Sequence, residues 1–341
     1  MASRHPTQIV VVNRQRPEPG PIARAAEVIL RGGLVAFPTE TVYGLGANAL
    51  DPEAVERIFR AKGRPAANPV IVHVPDAEAA REVVAAWPPE AQRLADRFWP
   101  GPLTLVLPRA EDVPDAVTAG GSTVGVRAPG HPVALALLRR AGVPIAAPSA
   151  NRSSRLSPTR AEHVLRSLGG RIDLILDAGP TPGGIESTVL DLASRPARLL
   201  RPGLVSQEEI EEELGSIAGP SGAEEGRALR SPGMLRRHYA PATPLEAMEA
   251  GALEHALALA RAGLRVGLMV LSPPGRARRL REENLLVEVL PADPAGFAAR
   301  LYDVLHALDA SGLDRIVVEL PPESTEWTAV RDRLLRATAE E

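Results

Sequence analysis

Short apolar runs alternate with stretches of helical spacing from the start of this chain to about residue 205. Ile22, Ala25, Ala26, Ile29 and Leu30 recur on one side of a helix, and Gly32-Gly33 stop the run, so a helix is expected over 21–32. Leu34-Val35-Ala36-Phe37 reads as a buried strand that Pro38 ends. Asp51 as N-cap and Pro52 at the first helical position open a helix over 52–61. Similar patterns predict helices over 88–98, 132–141 and 159–168. Strands are expected over 9–12, 70–74, 103–108, 123–127, 145–147, 174–178, 188–192 and 199–200. The alternation is irregular, so an α/β domain with a twisted mixed sheet is expected.

The pattern changes at about residue 206. An acidic helical stretch over 206–214 is followed by Gly, Ala, Glu and Arg without a hydrophobic period over 219–230, which reads as a linker. Helices over 252–262, 294–308 and 327–337 then alternate with strands over 266–271, 285–290 and 315–320. A smaller, Rossmann-like α/β domain is expected there. It lacks the glycine-rich dinucleotide fingerprint, so nothing in its sequence supports nucleotide binding. The expected division is 8–205, a connecting segment over 206–241, and 242–341.

Composition narrows the function. At 341 residues and 45% hydrophobic, the chain can bury two cores. It has no cysteine, which removes disulfides, thiolate metal sites and a cysteine nucleophile and fits a reducing cytoplasm. Neither a signal peptide nor an apolar run long enough to span a membrane is evident. A net charge of −3 argues against a dedicated nucleic-acid coat and leaves room for a local basic pocket. Of 39 Lys and Arg, only Lys62 is lysine. An ammonium is a compact point charge and a guanidinium a flat fork. Lys62 and Arg64, separated by Gly63, therefore look like a polyanion clamp, most plausibly for phosphates.

Other loops and strand ends add ligands of the same kind. Pro38–Gly46 (PTETVYGLG) follows a strand with hydroxyls and two glycines, and reads as a turn that lets backbone approach a ligand. Asn68 and His73 follow the basic loop. Thr123 and Arg127 bound a short strand; Ser149, Asn151 and Ser157 follow another; Glu186-Ser187 precede a third, and Arg201 ends the last. Hydroxyls, an amide and arginines are phosphate and carboxylate ligands. There is no Gly-x-Ser-x-Gly elbow, no Walker sequence and no zinc spacing.

Together PTETVYGLG, AKGRPAANPVIVH (61–73), WPGPLTLVL (99–107), VRAPGHP (126–132), APSAN (147–151), SPT (157–159), ESTVLD (186–191), LLRPG (199–203) and PGM…HYAP (232–241) make the chain resemble the YrdC-type L-threonylcarbamoyladenylate synthases in their longer, two-domain form. The resemblance implies a reaction of L-threonine, bicarbonate and ATP that yields threonylcarbamoyl-AMP and pyrophosphate, for later modification of tRNA by other proteins. It implies that Lys62 and Arg64 are catalytic and hold phosphates. Asn68, Thr123, Asn151, Ser157, Arg201 and Tyr239 match ATP contacts. Thr41, His73, Arg127, Ser149 and Ser187 match the threonine side, and the Arg127 fork suits a carboxylate. Mg²⁺ is expected on the phosphates, with few or no protein ligands.

Three other readings are weaker. An RNA-binding module would want basic and aromatic residues interleaved, which are missing, so strong direct nucleic-acid binding is not expected. A carbamoyl-transfer enzyme of hydrogenase maturation would carry cysteine-rich zinc elements. A relict pocket would not keep Lys62, Arg64 and Ser149-Ala150-Asn151 together. Within 206–241, Ser231–Pro241 combines Met234, Arg236, Arg237, His238 and Tyr239 between two prolines, an odd mixture for a spacer. It is expected to close over the nucleotide as an active-site lid.

Overall fold

The computed structural model describes residues 6–219, 238–271 and 284–339. The chain divides into two compact units, Met1–Ser153 with Ser157–Met234, and Ser154–Leu156 with Leu235–Glu341. The first unit begins β1 (Gln8–Val11), α1 (Pro19–Leu30), β2 (Val35–Phe37), β3 (Gly44–Asn48), α2 (Pro52–Lys62), β4 (Ile71–His73), α3 (Ala77–Ala80), α4 (Pro89–Phe98) and β5 (Leu103–Pro108). It continues with α5 (Asp115–Thr118), β6 (Thr123–Arg127), α6 (Pro132–Ala141), β7 (Ile145–Ala146), α7 (Ala161–Leu168), β8 (Leu174–Asp177), β9 (Thr188–Asp191), β10 (Arg198–Arg201) and α8 (Gln207–Leu214). The strands form one mixed sheet in the order β1-β8-β2-β3-β7-β4-β6-β5-β9-β10.

Because side chains alternate across a strand, register decides which residues share a face. His73 stands beside Arg127 and opposite Ile145, Val106 opposite Gly125, and Val189 beside Thr104 and opposite Arg201. These residues share one face. On β2, β3 and β7 that face continues through Phe37, Gly46 and Ile145, and α1 and α6 cover it with Ile22, Ala25, Ile29 and Leu137. Over β5, β9 and β10 the apolar cluster is only Val106, Val189 and Leu200, and no helix among the described residues contributes to it. The reverse face is a conventional core, where Val72, Leu105 and Val126 meet Val55, Ile58, Leu94 and Val164.

Two differences from the sequence pattern have physical causes. Residues 38–46 read as a turn, but Gly44–Asn48 is a strand. Gly46 is a steric necessity, since a Cβ there would sit 2.7 Å from Phe37 Cε1 and 2.8 Å from Ile145 Cγ2. Second, α8 opens on a capping box between Ser206 and Glu209 and buries Ile210 in the first unit's core. Arg97 on α4 pairs with Glu212 and Glu213 at 2.6 and 2.7 Å. Residues 220–237, which include most of the expected linker and lid, lie outside the described residues.

The second unit runs β11 (Leu245–Met248), α9 (Ala252–Arg261), β12 (Val266–Leu271), β13 (Leu285–Leu290), α10 (Pro294–Asp309), β14 (Arg315–Glu319) and α11 (Thr328–Thr338). Its sheet is parallel throughout, in the order β11-β14-β12-β13. Ala252, Ala256 and Ala260 of α9 pack on Leu268, Val270 and Val317. On the reverse face, a Cβ at Gly267 would strike Leu313 and Leu308. This is the smaller three-layer α/β unit. Ser154–Leu156 belongs to it: Ala240 N donates to Ser154 O at 3.0 Å, and Arg155 Nη1 to Pro241 O at 3.3 Å. No helix among the described residues is long and apolar enough to cross a membrane.

Candidate active site

Lys62 ends α2, and Gly63 (φ +62°) caps it in the left-handed conformation, with Arg64 N bonded back to Phe59 O at 3.0 Å. Beyond this turn Lys62 and Arg64 bond to different segments. Lys62 is 2% exposed, and its Nζ donates to Ser149 O and Asn151 O at 2.5 Å each. Burial first, then the Arg64 guanidinium, hold its ammonium well below the ordinary lysine range, while Glu186 acts the other way. A neutral amine has two N–H donors, enough for both carbonyls. A third proton would face whatever anion arrives.

Arg64 ties down its own loop. Nε donates to Asn68 O at 3.0 Å, and Nη2 to Asn68 Oδ1 at 2.6 Å and Pro69 O at 2.7 Å. Asn68 Oδ1 is thereby used, and its buried Nδ2 has no partner among the described residues. That leaves a preformed donor beside the clamp. Thr123 lines a small cavity with Pro69, Ile71, Thr104, Gly125 and Val189.

A second group lies around the start of β9. Arg201 Nε donates to Ser187 O and Nη2 to Ser187 Oγ, both at 3.1 Å, and Ser187 Oγ lies 2.9 Å from Thr104 Oγ1. The neighbouring Glu186 accepts a short hydrogen bond from Ser157 Oγ. Asn151 Nδ2 donates to Arg152 O at 2.9 Å.

The third group surrounds the end of β6. Arg127 Nε donates to Gly101 O at 3.1 Å, and Nη2 reaches Glu40 Oε1 at 2.6 Å and Thr41 Oγ1 at 3.1 Å. Thr41 Oγ1 is also 2.7 Å from Thr39 Oγ1. His73 is buried beside Arg127 in the sheet, and its Nδ1 has no partner among the described residues. Burial first, then the Arg127 charge, push its pKa down to about 3, so the ring is neutral.

Lys62, Ser149 and Asn151 are thus joined, as are Arg64 with Asn68, Ser157 with Glu186, Ser187 with Arg201, and Thr41 with Arg127. Tyr239 lies in the second unit. It is 1% exposed with φ +64°, its ring 4.0 Å from His238 and 5.9 Å from Tyr302, and the Arg333 guanidinium 5.2 Å from its centroid. Sequence reasoning assigned no role to Glu40, Thr104 or Glu186. Thr104, a hydroxyl in the otherwise apolar strand Leu103–Pro108, was the most readable of these.

A buried lysine and arginine beside α2, with separate arginine stations on one sheet, suit an enzyme that handles phosphates and a small carboxylate. A family model described as "Telomere recombination", for the Sua5, YciO and YrdC proteins, matches residues 27–203, and one described as "Threonylcarbamoyl-AMP synthase, C-terminal domain" matches residues 205–339. The chain belongs to this family in its two-domain form. It is 44% identical to the threonylcarbamoyl-AMP synthase of Bacillus subtilis, over 93% of this chain and 92% of that one. It is also 44% identical to that of Pyrococcus abyssi, over 97% of each. The structure of P. abyssi Sua5 complexed with L-threonine matches with a TM-score of 0.90 at 42% identity, over 97% of this chain and 98% of that chain.

Proposed function

We propose that this chain is an L-threonylcarbamoyladenylate synthase. It joins L-threonine, bicarbonate and ATP, releases pyrophosphate, and yields threonylcarbamoyl-AMP. Other proteins then pass the threonylcarbamoyl group to tRNA. The observation that carries this reading is the stretch of sheet face where no helix among the described residues joins the apolar cluster of Val106, Val189 and Leu200. It bears Arg127 and the Thr104–Ser187–Arg201 chain, with the Lys62–Arg64 clamp built nearby from α2. Near-full-length identity to two synthases supports it.

Lys62 and Arg64 hold the phosphates, with Asn68 Nδ2 donating beside them. Thr123, Asn151, Ser157, Arg201 and Tyr239 complete the ATP contacts. Thr41, His73, Arg127, Ser149 and Ser187 receive threonine, with Arg127 Nη1 toward its carboxylate. The threonine carbamate then attacks the α-phosphate in line, a step that depends on positioning and charge stabilisation. Among the described residues no group of three or more His, Asp or Glu could hold a metal. Mg²⁺ would ride on the ATP phosphates, with few or no protein ligands. The working division is a catalytic domain over 8–205, a linker and lid over 206–241 whose first part, α8, packs into the first unit's core, and a C-terminal domain over 242–341. The enzyme acts in the cytoplasm, without strong direct contact to nucleic acid. The test is pyrophosphate release that requires ATP, threonine and bicarbonate together; release without threonine overturns the reading.

A further inference from the structure

Arg127 and Glu40 form a salt bridge of 2.6 Å, their side chains 4% and 15% exposed. Each keeps one unused end. Arg127 Nε and Nη2 are engaged as described, and Nη1 makes no hydrogen bond among the described residues. Glu40 Oε1 takes Arg127, whereas the buried Oε2 has no partner among the described residues. A buried acceptor left unpaired costs ~1–3 kcal/mol, more when charged, so it calls for an explanation.

The surroundings hold Glu40 in place. Gly183 N donates to Glu40 O at 2.8 Å, and Gly184 N to Thr41 O at 3.0 Å. A Cβ on Gly183 would sit 2.6 Å from Glu40 O, and one on Gly130 would be 3.5 Å from Glu40 Cδ. The pair is therefore fixed by backbone on two sides. An amino acid is a zwitterion whose carboxylate and ammonium flank one carbon. A guanidinium with a free Nη1 beside a carboxylate with a free Oε2 presents the opposite charges side by side.

We propose that Glu40 receives the ammonium of the substrate amino acid and takes its proton, while Arg127 holds the carboxylate. This rests on the threonine reading given above. The ammonium gives one proton to Oε2 and becomes a neutral amine. The amine lone pair forms the N–C bond to bicarbonate carbon, and one C–O bond of bicarbonate breaks. The departing hydroxide leaves as water with a second amine proton. The carbamate that remains is the nucleophile for the α-phosphate, and Glu40 returns its proton to solvent.

Few other groups near the pair titrate. Burial first, then Arg14, hold His131 at the start of α6 at about 4 against the pull of Glu40, and burial holds His73 at about 3. Arg127 stays charged, and residues 179–184 bring no ionisable side chain. A pH profile near neutrality and above therefore reports on the substrate amine.

Glu40→Gln keeps a carbonyl oxygen for Arg127 and cannot take a proton. We expect kcat/KM for threonine to fall by ~100-fold or more near neutral pH, with ATP affinity held within about twofold. The deficit should shrink by about tenfold per pH unit as the free amine forms in solution. Glu40→Asp, which retains a carboxylate, should keep the wild-type pH profile at a reduced rate. A Glu40→Gln enzyme at wild-type rate, a loss equal at every pH, or an equal loss in ATP affinity overturns the proposal. A wild-type chain that releases no threonine-dependent pyrophosphate overturns the functional reading and this proposal with it. An active wild type with unimpaired Glu40→Gln overturns the proposal alone.

Discussion

Replacing Lys62 would separate its structural work from the catalytic role proposed for it. In Lys62→Ala, Ser149 O and Asn151 O lose their donor, at ~1–3 kcal/mol for each acceptor left unpaired. Against this, the variant no longer buries an amine that both desolvation and Arg64 disfavour as a cation. The two effects oppose, so the net stability change should stay within about 2 kcal/mol. Nothing offsets the loss in the reaction, because a preorganised donor toward developing charge contributes ~3–4 kcal/mol, or about 10²–10³-fold in rate. The rate should therefore collapse while thermal stability barely moves. Lys62→Arg should rescue poorly, since the wider guanidinium does not fit a site that is 2% exposed and reached by a slim stem. The assay is single-turnover pyrophosphate release with ATP, threonine and bicarbonate, run beside a melting curve. ATP binding should also draw a proton onto Nζ, because the phosphates favour the charged form that burial disfavours. Calorimetry in two buffers of different ionisation enthalpy reads that uptake, which Lys62→Met should abolish. A Lys62→Arg enzyme within about threefold of wild type would refute the reasoning.

Other predictions can be tested on the same protein. His73 titrates at about 3 when folded against 6.5 for the free side chain, so its stabilisation is present above 6.5 and lost as pH falls toward 3. That difference is roughly 5 kcal/mol at most, and denaturant titrations at neutral and acid pH should show a shallower acid dependence for His73→Phe than for wild type. Serine, which lacks one methyl, should be discriminated against by roughly 10–200-fold in kcat/KM, and valine, which leaves polar groups unpaired, far more strongly. Comparable turnover of valine and threonine would show that the amino-acid site is misassigned. A chain ending after Gly219 keeps α8 and should fold, with weaker ATP binding and little product. One ending after Gly203 loses buried Ile210 and should be less stable by ~1.5–3 kcal/mol from that side chain alone. Equal melting temperatures would remove α8 from the core, and full activity in the longer piece would end the lid reading.

The sequence pattern reached the mixed sheet, the second α/β unit and most elements to within a few residues, because apolar runs and capping residues mark them locally. It missed β3 because Gly44 and Gly46 suppress the strand pattern, and the reason for Gly46 is steric contact with Phe37 and with Ile145, which is distant in sequence. It missed β11 because Leu245-Glu246-Ala247-Met248 consists of good helix formers, and only pairing with β14 makes it a strand. The candidate site residues stand out singly in the sequence, as charges and hydroxyls at loops and strand ends. Their partnerships do not: that Arg64 uses Asn68 Oδ1, or that Glu40 faces Arg127, depends on distances between segments far apart in the chain.

The burial of Lys62 has a further consequence for how this protein can be marked. Apart from the α-amino group, its Nζ is the only amine in the chain, and there is no thiol. Acylating reagents, and any enzyme that modifies lysine, have one side-chain target, and it lies 2% exposed between two backbone carbonyls. On the role proposed for Lys62, modification of this lysine would inactivate the protein. The extent of Nζ labelling, separated from that of the α-amino group, becomes a direct readout of how often Lys62 is uncovered.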